Sequence, residues 1–398
     1  MASYGGGHRQ AARAIEEALR GRRPDISVST TDYVDLVSPA FNRVTQSAYV
    51  LSVKYAPQAF AWFYHGTSRI GPRSGFQRYL NSLGRRRLLR VLDDRQPRVV
   101  VCTFPTQAGV ISELVGRGAV DVPTVSVVTD NTIHSQWIHP HTDEYCVSAE
   151  EIAEGVIRRG IPREQVHTTG IPIRRAFRER YDRAQTMRRL DLDPSRPMVL
   201  IMSGAFGMLT GVVAACRALL HLPQAPQIVL VTGRDRKLAE DVRMALGGRE
   251  RPLRVLGYVD EIAPLMQAAH VLVTKAGGLT TSEALASRLP MVIYRPIPGQ
   301  EQANTAFLTR LGAAWSVRTA HQLARCVREL LTDATRLEGM RAACARVGRP
   351  NAADDVADVV LRTLDRAAAQ PRRPVVNAAA LNRHRRFINS VAVHKPGA

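Results

Sequence analysis

From about residue 98 to residue 350, short runs of Val, Ile and Leu alternate with helix-like stretches. That alternation confines the chain to parallel sheets covered by helices. The candidate strands are Arg98–Thr103, Thr124–Thr129, Glu144–Val147, Met198–Ser203, Gln227–Thr232, Leu253–Leu256, Val271–Thr274 and Met291–Tyr294. They are apolar on both faces, as buried parallel strands are. Between them Thr106–Val115, Lys237–Leu246, Glu261–Ala269, Thr281–Ala286 and Gln322–Leu331 have helical spacing. Pro and Gly punctuate the chain from Gly170-Ile171-Pro172 to Asp193-Pro194, which marks a boundary. The expected organisation is α/β: a first doubly wound domain at 1–170, a linker at 171–195, and a second domain at 196–352 facing the first across a cleft. A helix at 353–368 and a basic tail at 369–398 follow, and the tail is expected to be mobile.

The chain has 398 residues and a formal charge of +20. A length of that order suits two domains rather than one core, and the charge makes polyanions natural partners. Residues 69–98 and 366–398 each carry a net +7, together +14 of that +20. Next to the first basic segment, Tyr33–Tyr79 holds ten of the 22 aromatic residues, Trp62 among them. Aromatics beside arginines suit an interfacial contact with anionic lipid; a helical core with a solvated basic face suits them too. No helix-turn-helix, zinc finger or RNP string is present, so no specific nucleic acid is expected. The five cysteines are scattered, without a C-x-x-C pair, which points to neither disulfides nor zinc. No run reaches the roughly 18 apolar residues of a spanning helix. A cytoplasmic protein, peripheral on the inner face of the membrane, is the expectation.

Several strings carry chemistry. Gly5-Gly6-Gly7-His8 opens a helical stripe over Arg9–Arg20; it is read as a ligand-approaching turn with an imidazole base, or as a turn whose histidine only caps a helix. Thr274-Lys275-Ala276-Gly277-Gly278-Leu279-Thr280-Thr281-Ser282-Glu283 joins a buried strand, a glycine pair and an amphipathic helix. A helix start of this kind cradles a diphosphate, and Glu283 stands where a ribose could be held; an ordinary capped β–α turn is the alternative. It is neither G-x-G-x-x-G nor Walker A. Gln300, Glu301 and Asn304 sit in a polar cluster suited to sugar hydroxyls, or to a helix cap. The loop 127–141 contains Asp130, His134, Trp137 and two further histidines; their spacing matches no zinc pattern, and Asp130, His134 and Trp137 are read as shaping the acceptor side of the cleft.

In order and spacing these strings resemble the monogalactosyldiacylglycerol synthase and processive diacylglycerol β-glucosyltransferase family, relatives of the enzyme that adds N-acetylglucosamine to lipid-linked muramoyl peptide. The likeness runs from Ala2 to about Ala352. It rests on residues 2–8, on Val-Thr-Asp…His…Trp…His at 128–139, on Gly160-Ile161-Pro162 with Gly170-Ile171-Pro172, on 274–285, and on Pro298-Gly299-Gln300-Glu301. The resemblance implies two Rossmann-like domains in the glycosyltransferase B fold, an inverting hexosyl transfer, a UDP-hexose donor, a diacylglycerol or glycolipid acceptor, and no required metal or other cofactor. It implies His8 as general base, Gly277, Gly278 and Thr280 at the diphosphate, and Glu283 at the ribose. Gln300, Glu301 and Asn304 would meet the donor sugar, and Tyr258 and Val259 the uracil. The loop 202–207 keeps two glycines, Gly204 and Gly207, with Phe206 between them, a departure from the family's glycine-rich loop. A second departure is that only Met1 stands where a first strand should precede Ala2. The expectation is an upstream start, or else a domain with that central strand absent or substituted. A same-fold epimerase, a soluble-acceptor transferase and a non-catalytic lipid- or nucleic-acid-binding protein are the alternative functions.

Overall fold

The computed structural model describes residues 1, 6–37, 66, 84–205, 207–247, 252–297, 299–369 and 375–376. Residues 2–5 of the first motif, most of the aromatic stretch, Arg69, Arg73 and Arg78, Phe206, Pro298 and the tail from 377 lie outside them.

The second half of the chain forms a six-stranded parallel sheet: β5 (Met198–Met202), β6 (Gln227–Val231), β7 (Leu253–Leu256), β8 (Val271–Thr274), β9 (Met291–Tyr294) and β10 (Ala314–Val317), in the order β10-β9-β8-β5-β6-β7. Alternation along each strand divides its side chains between two cores. Leu200, Val229, Leu272, Met291 and Ile293 pack on one face with Ala284 and Leu308. Val199, Ile201, Ile228, Leu230, Val271 and Val273 pack on the other with Cys216 and Val327. Both faces are therefore covered, as the two-sided apolar runs predict. Ile173, Phe177, Met187 and Leu192, from the stretch read as a linker, pack into the first of these cores.

The first half holds four parallel strands, β1 (Val100–Cys102), β2 (Thr124–Val127), β3 (Glu144–Val147) and β4 (Val166–Thr168), in that order across the sheet. On one face lie α1 (Gly7–Arg22) and α14 (Ala352–Ala368), packed on Val125, Val127 and Cys146. On the other lie α3 (Arg85–Arg95) and α4 (Pro105–Gly116), whose Leu88, Leu92, Val110 and Ile111 meet Cys102. The last long helix thus returns to the first lobe, where Arg22 Nε lies 3.2 Å from Asp354 and Arg178 pairs with the same carboxylate. Nor does the chain run free as far as the tail was expected to: Val375 is buried, its N–H donates to Gln96 Oε1 at 3.0 Å, and Val376 bridges Val120.

Two strands and several helices were not expected. β4 and β10 are edge strands with half-open sequences, Val-His-Thr and Ala-Trp-Ser-Val, so they lack the continuous apolar signature of central strands. The polar cluster around Gln300 is the first turn of α11 (Gln300–Arg310), as its helix-cap reading has it.

Strand order also locates the crevice. β5 pairs with β6 on one side and β8 on the other, so the loops leaving β5 and β8 diverge above the sheet, where doubly wound folds bind ligands.

Candidate active site

The cleft between the lobes is a cavity of about 420 Å³. Helix N-termini from both lobes converge on it, among them α1 from the first and α10 (Gly278–Ala286) from the second. These two start from a glycine, Gly6 and Gly277, with no side-chain cap, so the first-turn N–H groups and the positive dipole end are left for an anion. Gly6 has φ +82°, a left-handed turn that a side chain would strain. Around these ends stand Arg9, Arg13, Arg174, Arg234 and Lys275, against Asp130, Glu283 and Glu301.

His8 occupies the first turn of α1. Its Nδ1 lies 2.9 Å from Thr129 Oγ1, and Phe104 meets its ring edge-on with centroids 5.3 Å apart. The side chain opens onto the cleft while protein encloses the rest of it, and this desolvation pushes the imidazole down to about 4. It is neutral at physiological pH. In the tautomer whose Nδ1–H donates to Thr129 Oγ1, Nε2 keeps its lone pair for a substrate proton.

Three consecutive residues after β2 cross to the second lobe. The carbonyl oxygen of Thr129 abuts Gly278, where a Cβ would stand 2.2 Å from it. Asp130 accepts a hydrogen bond from Gln300 of α11. The N–H of Asn131 donates to Asn304 Oδ1 at 3.0 Å. A further interlobe hydrogen bond runs from Gln10 Nε2 to Tyr258 Oη at 3.0 Å. Asp130 is buried, and desolvation, opposed by the Gln300 and Trp137 hydrogen bonds, raises its carboxyl to about 6. Thr129 therefore holds His8 through its hydroxyl and touches the α10 N-terminus through its carbonyl.

On the second lobe, Gly204, Tyr258, Val259, Gly277, Gly278, Thr280, Glu283, Gln300 and Glu301 all line the cleft, as expected from the sequence. Glu283 is buried, and desolvation lifts its carboxyl to about 7, with Arg174 pulling the other way. Lys275 Nζ lies 2.5 Å from Glu301 Oε1, and among the described residues Glu301 Oε2 has no hydrogen-bond partner. Arg234 stacks 5.3 Å over the half-exposed ring of Tyr258.

Four expected residues do not line it. Asn304 is fully buried, and both its polar atoms are taken, by Asn131 and by the carbonyl of Ala276 at 3.0 Å; it staples the lobes. Trp137 packs with Val128, Tyr145 and Val147 and reaches the site only through its hydrogen bond to Asp130. His134 caps a single 3₁₀ turn, its Nδ1 accepting from Gln136 N at 3.2 Å. Gly207 serves its turn: φ is +61°, and a Cβ would strike Asp235. Conversely, Thr129, Lys275, Arg174 and Arg234 were missed. Lys275 carried a legible signal, a lone cation between a strand end and a glycine pair. The arginines carried none in so arginine-rich a chain.

The family models match on both sides of this cleft. Monogalactosyldiacylglycerol (MGDG) synthase covers residues 8–173, and the glycosyltransferase family 28 C-terminal domain covers 198–356. The processive diacylglycerol β-glucosyltransferase of Bacillus cereus (strain AH187) is 32% identical over 363 residues, 90% of this chain and 92% of the relative. The chain belongs to that family. A family member from Bacillus anthracis (strain CDC 684 / NRRL 3495) is 31% identical over 360 residues, again 90% and 92% of the two chains. Among solved structures, the Staphylococcus aureus MnaA–UDP complex superposes with a TM-score of 0.60 at 14% identity, covering 93% of this chain and 97% of that one. A Neisseria meningitidis UDP-GlcNAc 2-epimerase bound to UDP-GlcNAc gives 0.58 at 14%, covering 89% and 96%. This diacylglycerol glycosyltransferase family member thus has two Rossmann-like lobes in the glycosyltransferase B arrangement. Among the described residues, no helix is long and apolar enough to cross a membrane.

Proposed function

We propose that the protein transfers a hexose from a UDP-sugar to diacylglycerol, or to a glycolipid already built on it, with inversion to a β-linkage. The family membership and the names of the curated relatives support the acceptor, and glucose is the sugar those names carry. One observation bears the mechanism: a neutral imidazole and an uncapped helix N-terminus face each other in one cleft through the same residue, Thr129.

In this reading the acceptor hydroxyl gives its proton to His8 Nε2 as its oxygen attacks the anomeric carbon. The bond from that carbon to the β-phosphate oxygen breaks, and its electron pair leaves with UDP. The first-turn N–H groups of α10, the Thr280 hydroxyl and Lys275 receive the developing charge. Glu283 holds the ribose, Tyr258 and Val259 border the uracil, and Gln300 with Glu301 Oε2 takes sugar hydroxyls. Asp130 holds Gln300 across the seam. The basic and aromatic segments at 33–98 would bring the site to an anionic bilayer surface, peripheral on the cytoplasmic side.

The test is turnover of separate UDP-hexoses with diacylglycerol in anionic vesicles, read as UDP and glycolipid. A positioned base contributes ~10²–10⁴-fold, so His8→Ala loses activity on that scale while UDP affinity stays within a few-fold. An unchanged rate removes His8 from the mechanism; release of UDP without glycolipid removes the acceptor.

A further inference from the structure

Outside the cleft, at the carboxyl edge of the second sheet, three groups with protons to donate are held against one another. After β5 and its loop, α7 (Val212–Leu220) starts from Gly211, φ +72°, with no side-chain cap. Its first-turn N–H groups therefore lack intrahelical partners, and the positive end of its dipole is bare. A Cβ built on Gly211 would stand 2.7 Å from Arg295 Nη1 and 3.0 Å from Tyr294 Oη. Both side chains, carried by the end of β9, thus reach the start of this helix.

Without a further partner this arrangement is unfavourable twice over. A guanidinium beside a helix N-terminus sets like charge against like. Arg295 is nonetheless fixed there: its N–H donates to Val317 O at 2.8 Å and its Nε to Arg318 O at 3.2 Å, and it forms no ion pair among the described residues. Tyr294 is fully buried, its ring packed in the core with Leu209, Val212 and Val317. Its Oη has no hydrogen-bond partner among the described residues. The neighbouring guanidinium has no lone pair to offer, so the phenolic proton finds no acceptor there, and an unsatisfied buried hydroxyl is destabilising.

We propose that this corner is an oxyanion site that takes a phosphate group. The first-turn N–H groups of α7, the Arg295 guanidinium and the Tyr294 O–H all donate to it. A dianion relieves the repulsion and supplies the missing acceptor together, whereas a water molecule would supply only the acceptor. Thr210 and Arg295 are exposed, so the group can enter from solvent onto a buried floor. Thr210, Gly211, Tyr294 and Arg295 do not line the cleft, although Gly204, Ala205 and Met208 of the same β5–α7 loop do. The site is therefore separate from the donor pocket and does not rest on the transfer reaction. Because every group in it donates, it has no means of recognising a phosphate proton and should not separate phosphate from sulfate.

The test is calorimetric titration with inorganic phosphate at pH 8, where phosphate is a dianion, with saturating UDP present to occupy the cleft. One phosphate should bind with a Kd below ~1 mM, and sulfate should bind within a few-fold of it. Tyr294→Phe removes one hydrogen bond to a charged group and should weaken both anions by roughly tenfold to a hundredfold; Arg295→Met should weaken them at least as much. Neither variant should shift UDP affinity by more than a few-fold. In anion-free buffer Tyr294→Phe should melt no lower than the wild type, since the hydroxyl it loses had no partner, which separates lost anion binding from a damaged fold. Phosphatidylcholine vesicles with and without phosphatidic acid are then titrated against bound phosphate. Displacement by phosphatidic acid supports the site with a lipid headgroup as the source; no displacement supports it with a soluble phosphate. Phosphate binding that UDP abolishes, binding unchanged in both variants, or no binding at all overturns the proposal.

Discussion

Glu283 is a carboxylate that its buried position stabilises poorly, and Glu283→Gln turns this into a measurement. Burial lifts its carboxyl from 4.5 to about 7, which at ~1.36 kcal/mol for each tenfold change in proton affinity is about 3 kcal/mol. The sign follows from proton binding. A carboxyl whose pKa is raised on folding holds its proton longer in the native state, so its contribution is whole below pH 4.5 and is lost as pH rises through about 7. The wild type therefore weakens across that window, and a neutral glutamine of the same shape does not. The Tm of Glu283→Gln should match the wild type near pH 4.5 and exceed it by roughly 6–12 °C at pH 8, at ~2–4 °C per kcal/mol for a lobe of this size. UDP affinity should move the other way, falling about tenfold to a hundredfold with loss of a hydrogen bond to a charged group. Thermal melts at the two pH values and calorimetric UDP titration read both. A Tm difference independent of pH, or of opposite sign at pH 8, refutes the buried-charge argument. Undiminished UDP affinity refutes contact with the nucleotide.

Other perturbations address the seam and the base. Gly278→Ala puts a Cβ 2.2 Å from the carbonyl of Thr129, so the lobes must part; transfer should fall at least ~10-fold with a larger radius of gyration by X-ray scattering, and an unchanged radius with full activity disproves the contact. Because His8 stays neutral down to about 4 and Asp130 ionises near 6, transfer rates should rise through pH 6 as Asp130 becomes anionic. Asp130→Asn should flatten that limb; persistence of the limb in the variant assigns it elsewhere. Lys275→Met strands Glu301 and should cost up to about 3–5 kcal/mol in urea unfolding, most of it regained in Lys275→Met/Glu301→Gln; a double variant no better than the single one removes the pairing from the stability of the lobe.

The site was legible where its chemistry is local. Gly277-Gly278 before a helix, Glu283 one turn on, and a histidine after three glycines are each set by a few adjacent residues, because strand-to-turn-to-helix geometry is a short-range matter. Residues whose surroundings come from elsewhere in the chain were misplaced. Trp137 and Asn304 look like binding residues by type, yet one is packed against Tyr145 and the other is consumed by Asn131 and Ala276. Thr129 was given no role in the site because its importance lies in touching His8, 121 residues away in the chain, and Gly278, further still. Edge strands β4 and β10 escaped notice for a related reason: a strand with one open side needs no continuous apolar run.

Fold class and the glycine turns that line the cleft were thus determined by the sequence itself, since apolar runs such as Val-Leu-Ile-Met and Ile-Val-Leu-Val can satisfy both faces only inside a helix-covered sheet. The meeting of the lobes was decided by tertiary structure alone. Whether an imidazole is neutral or a carboxyl keeps its proton up to about 7 depends on desolvation supplied by distant segments. No window of neighbouring residues contains that information.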